Sequence, residues 1–112
     1  MQKKTILIDL DGVLNTYTGI YEPHTIPPMR EGAEDFLKKL SDKYKLILFS
    51  SRDLGYVKNW IKEHALEKYF EAITNVKEPA YLIIDDRCVR FDGDFNNTLN
   101  AVEDFGVWWK KS

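Results

Sequence analysis

The sequence predicts an α/β fold: a three-layer sandwich built on a parallel, Rossmann-like sheet, with no added cap domain. Three observations carry this. Short, continuous apolar runs alternate with stretches of helical periodicity, which is the pattern of strands buried on both faces and linked by helices. Three of those runs end on residues able to do chemistry: Asp9 and Asp11, Ser50, and Asp85 and Asp86. Finally, no gap between the runs is long enough for a cap with its own core, which needs about 50 residues.

Thr5–Ile8 is the first expected strand, ending in Asp9-Leu10-Asp11-Gly12. From Arg30 to Tyr44, the residues Ala33, Phe36, Leu37 and Leu40 recur at helical spacing. Lys45–Phe49 reads as the second strand, running into Ser50-Ser51-Arg52. Asp53 is a candidate N-cap for a helix marked by Val57, Trp60, Ile61, Ala65 and Leu66. Ala72–Val76 is a weaker third strand, and Tyr81–Ile84 a strong fourth, closed by Asp85-Asp86-Arg87. Leu99, Val102 and Phe105 mark a last helix, capped by Asp94 or Asn96, and Val107–Trp109 a final short strand. Asn15–Pro28 is the one long irregular stretch; its prolines and aromatics predict a structured flap.

The 112 residues suit one domain, 1–112. Sixteen basic against eighteen acidic residues leave a net charge of -2, so bulk attraction to nucleic acid or an anionic membrane is not expected. Cys88 is the only cysteine, which excludes an internal disulfide and an all-cysteine metal site. The apolar run after Lys4 stops at Asp9, too short for a signal peptide core or a membrane span. The expected compartment is the cytoplasm.

In an open parallel sheet, ligands bind beyond the carboxyl ends of the strands. Four carboxylates gathered there would repel one another unless a cation sat among them, and oxygen-only donors suit Mg²⁺. Lys77, ahead of the fourth strand, adds a positive charge, and a metal, a lysine and a hydroxyl together make a phosphate-binding environment.

With these motifs in this order (Asp9-Leu-Asp-Gly-Val-Leu-Asn15, Ser50 after an apolar strand, Lys77, and Ile84-Asp85-Asp86-Arg87), the chain resembles the haloacid dehalogenase-like hydrolase superfamily. It is most similar in style to the short, capless phosphatases, including the phosphatase domains of polynucleotide kinase-phosphatases. The resemblance implies Asp9 as nucleophile, Asp11 as general acid/base, Ser50 on a phosphoryl oxygen and Lys77 as charge stabiliser. It also implies Mg²⁺ held by Asp9, the Asp11 carbonyl and Asp85, with Asp86 direct or through water. Ser51 is the alternative to Ser50. Arg52 is expected to contact substrate at the crevice mouth or to pair with a flap carboxylate.

Elementary chemistry fits those roles. A carboxylate at Asp9 can attack phosphorus and divide one displacement into two through an aspartyl-phosphate, while Asp11 can protonate the leaving oxygen and then deprotonate water. Each motif alone has a plainer reading: an acidic turn, a helix cap, a structural ion pair. Their conjunction is what points to catalysis. The rivals are a phospho-acceptor signalling module, whose acidic pair would precede the phosphorylated aspartate by a strand order reversed from this one, and an inactive binding protein, which would lack a motif residue. The expected partner is a phosphorylated substrate, either a small molecule or a nucleic-acid end, with the open crevice shielded by the flap or by a second subunit of a homodimer.

Overall fold

The computed structural model describes residues 3–110. Its four parallel strands are β1 (Thr5–Asp9), β2 (Lys45–Phe49), β3 (Ala72–Thr74) and β4 (Leu82–Ile84), in the sheet order β3-β2-β1-β4. Helices α1 (Ala33–Ser41) and α2 (Leu54–Glu63) follow β1 and β2, one turn of 3-10 helix spans Glu67–Tyr69, and α3 (Phe95–Glu103) follows β4. No helix among the described residues is long and apolar enough to cross a membrane.

One face of the sheet is densely packed. Register pairs Ile6 with Leu46 and Ile8 with Leu48, so these four side chains share a face. Onto them pack Ala33 and Leu37 of α1, Val57, Trp60 and Ile61 of α2, and Leu66. Helix α2 starts where the Asp53 carboxylate accepts a hydrogen bond from Gly55 N at 2.8 Å. It ends sooner than its apolar pattern suggests. Ala65 is exposed and adopts a left-handed φ of 55°, and this turn lets Leu66 re-enter the core.

The other face is thinner. No helix joins β3 to β4; residues 75–81 make that crossing as irregular chain. Leu7 is buried, but Leu82 and Ile83 of β4 are exposed. Helix α3 forms as its sequence predicts, with Asp94 accepting from Asn97 N at 3.0 Å. However, it buries none of its residues, and Phe95, Leu99 and Val102 face solvent. Val107–Trp109 is not a strand: it ends in a turn, closed by Lys110 N donating to Val107 O at 3.3 Å.

Candidate active site

The parallel register itself assembles the acidic cluster. Ile8 lies opposite Ile84 on the neighbouring strand, so the next residues, Asp9 and Asp85, leave the sheet side by side. Carboxylate oxygens of Asp9, Asp85 and Asp86 all lie within 4.8 Å of one another. Burial first, and then the charges of Asp85 and Asp86 together with a hydrogen bond between the Asp9 and Asp86 carboxyls, push Asp9 from 3.8 up to about 8. Three half-buried carboxylates this close need either a shared proton or a cation. As an all-oxygen donor set they fit a hard divalent ion.

The chain after β1 makes a helical turn, with Leu14 N donating to Leu10 O at 2.9 Å. Leu10 and Leu14 sink fully into the core. Asp11 and Asn15, one step further on, are therefore paired four residues apart, and Asn15 Nδ2 donates to Asp11 Oδ1 at 3.0 Å. Asn15 is itself fully buried, its Oδ1 accepting from the backbone N–H groups of Gly12 and Tyr17. It is a site residue that sequence reasoning passed over as the mere end of a motif. Its only signal was a polar side chain one turn from the second aspartate.

Gly12 has φ +84°, and a Cβ there would collide with the Asp86 carboxylate and the Trp109 indole. Glycine is required on both counts. The indoles arrive from the far end of the chain: Trp108 Nε1 donates to Gly12 O at 2.8 Å and Trp109 Nε1 to Asp86 Oδ2 at 2.6 Å. Trp109 also meets Tyr17 of the flap edge-on, with ring centroids 5.6 Å apart. Expected as part of a final short strand, these tryptophans instead close over the acidic loop. Arg30 stacks on Trp108 at 4.3 Å and Arg87 lies over Trp109 at 5.4 Å.

The remaining expected residues divide. Ser50 leaves β2 one residue beyond Phe49, the register partner of Asp9. It is buried, and its Oγ accepts from Arg52 N at 3.1 Å. Ser51 is exposed. Lys77, in the connection from β3 to β4, is exposed, and among the described residues no ion pair ties it to the acidic cluster. Arg52 does not stand at the crevice mouth as a free cation. It is 1% exposed and paired with Asp11, Nε to Oδ2 at 2.8 Å and Nη2 to Oδ1 at 3.2 Å. The carboxylate it meets belongs to the loop after β1 rather than the flap, and the planar fork engages both oxygens of Asp11. Cys88 is exposed.

A capless parallel α/β domain with an aspartate-rich first loop and a second acidic pair on the adjacent strand defines a haloacid dehalogenase-like phosphatase. Residues 4–104 match the family model of the NLI interacting factor-like phosphatases, and the chain belongs to that family. It is accordingly a phosphoric monoester hydrolase. Among solved structures, a conserved protein from Bacteroides thetaiotaomicron is similar, with a TM-score of 0.61 and 26% identity over 92% of this chain and 92% of its own. No curated protein matches the chain closely enough to add to this. The family match ends before Trp108 and Trp109.

Proposed function

We propose that the chain is a Mg²⁺-dependent phosphomonoesterase in which Asp9 is the nucleophile and Asp11 the general acid/base. The observation that carries this is the convergence of Asp9, Asp85 and Asp86 oxygens at the carboxyl edge of the sheet. An Asp9 oxygen forms a bond to phosphorus as the ester oxygen–phosphorus bond breaks, and Asp11 gives its proton to the departing oxygen. Asp11 then takes a proton from water, which attacks phosphorus, releasing inorganic phosphate and restoring the Asp9 carboxylate. The Ser50 hydroxyl is one residue beyond the register partner of Asp9, suited to a phosphoryl oxygen, and Lys77 is the exposed cation that would meet the same anion. Asp9, Asp85 and the Asp11 carbonyl, with Asp86 direct or through water, would hold Mg²⁺, which would supply positive charge to offset repulsion between nucleophile and phosphate.

The substrate proposed is a phosphomonoester on a bulky group, nucleic-acid ends included, because no cap domain restricts the crevice and Arg30 and Arg87 stand on the flanking indoles. Hydrolysis of an aryl phosphate should vanish with EDTA and return with Mg²⁺. Asp9→Asn should abolish both turnover and acid-stable, hydroxylamine-labile phosphate labelling of the protein. Full activity in a chelated sample, or in Asp9→Asn, refutes the reading. Activity on phosphorylated oligonucleotides should fall with salt more steeply than activity on the aryl ester; equal slopes point to a small substrate.

A further inference from the structure

We infer that Arg52 is a positioning residue that locks the Asp11 carboxylate to the flap, so that flap placement and acid/base geometry are one structural state; this rests on the proposed role of Asp11. The guanidinium has no solvent-exposed side-chain surface and spends its donors in two directions. Nε and Nη2 hold both oxygens of Asp11, while Nη1 donates to the flap carbonyl of Glu22 at 2.7 Å. Its plane also lies 4.7 Å from the ring centroid of Tyr21. A buried arginine so committed is not free to bind a phosphate, which separates it from the role its position after β2 suggests.

The flap is pinned at other points that do not touch the site's carboxylates. Thr16 N donates to Pro28 O at 2.9 Å at its base, and Trp60 Nε1 donates to Pro27 O at 3.0 Å on its return limb. Between these pins Ile20 is 85% exposed. Arg52 is the side chain that joins this middle section to Asp11. With Asn15 holding Oδ1 from the other side, the carboxylate is fixed by two donor residues, and neither can move without altering its aim. Lysine could restore the charge at position 52, but a single ammonium cannot reproduce a bidentate fork and reach Glu22 as well.

The test is the leaving-group dependence of Arg52→Gln and Arg52→Lys, measured on an aryl and an alkyl phosphate in both the native and the Asp11→Asn backgrounds. Protonation by Asp11 matters most for the alkoxide, so misaimed Asp11 should lower alkyl turnover by about 10²-fold and aryl turnover much less. In Asp11→Asn the same substitutions should leave the alkyl-to-aryl ratio unchanged, since the two residues act as a unit. Both variants should also speed chymotryptic cleavage at Tyr21. Equal losses on the two esters, or a ratio change that persists in Asp11→Asn, overturn the inference. If Arg52→Gln does not fold, Arg52→Lys carries the same comparison. If Asp11→Asn itself treats both esters alike, Asp11 is not the acid/base and the positioning role falls with it. If the native protein hydrolyses neither ester, the failure is that of the phosphatase reading.

Discussion

The two sides of the acidic cluster are built by different physics. Towards β2, the first loop is anchored by fully buried Leu10 and Leu14 and backed by a core running from Ile6 to Leu66. Towards β4, apolar burial nearly stops: Leu82, Ile83, Leu99 and Val102 are exposed, and of the described residues beyond Leu66 only Val107 belongs to the buried apolar set. There the geometry is held by polar contacts, chiefly the two indole N–H groups. Asp9 thus sits on a packed wall while Asp85 and Asp86 sit on a wall fixed by a few hydrogen bonds. The first wall sets where Asp9 is, and the second sets how closely Asp85 and Asp86 approach it.

That contrast can be broken most forcefully by pH. Burial and the neighbouring charge of Asp85 push the Asp9 carboxyl from its ordinary 3.8 up to about 8 in the folded protein. The folded state therefore holds a proton that the unfolded chain releases. Stability of the metal-free protein should be highest below about pH 4 with respect to this group and fall by several kcal/mol as pH rises towards 8. Urea midpoints in EDTA at pH 5 and pH 8 measure it, and added Mg²⁺ should recover more at pH 8 than at pH 5. A metal-free protein equally stable at both would mean that the second wall yields and lets the carboxylates separate.

Paired truncations sharpen the same comparison. Leu48→Ala, in the packed face, should destabilise by about 2–5 kcal/mol. Leu99→Ala, on exposed α3, should stay within about 0.5 kcal/mol. Chemical denaturation of both variants checks it, and a large loss at Leu99 would show that α3 is covered in solution.

The smallest expected effect lies in the polar wall. Trp109→Phe keeps a ring beside Tyr17 but removes the donor to Asp86. Mg²⁺ affinity, read by calorimetry, should weaken by about tenfold or somewhat more, with little change in unfolding. Unchanged affinity would assign Trp109 to packing alone.

How much of this was legible in the sequence follows the same division. Where a signal is local, the chain states it plainly: Lys45–Phe49 is a strand with the bounds expected, Asp53 and Asp94 cap their helices, and the order of the aspartates places them at strand ends. Where the outcome depends on a covering layer, local pattern misleads. Tyr81–Ile84 looks like a buried strand, yet burial needs something to lie over it, and α3 does not. Arg52 follows a strand among polar residues and reads as exposed. Its burial comes from Asp11, 41 positions away, and Glu22, 30 away, distances at which composition carries no information. The tryptophans posed the same difficulty in reverse, since an aromatic pair near a terminus carries no mark of which loop it will meet.

The contact between Trp108 and Gly12 closes a loop of 96 residues. On a ribosome, the loop after β1 emerges well before the indoles that close over it. The packed wall, from β1 to Leu66, can form from contiguous chain, whereas the acidic wall waits for Trp108 and Trp109. Until then the nascent protein would hold Asp9 without Asp86 drawn against it. The three carboxylates are thus brought to their final spacing only after the chain through Trp109 has been made.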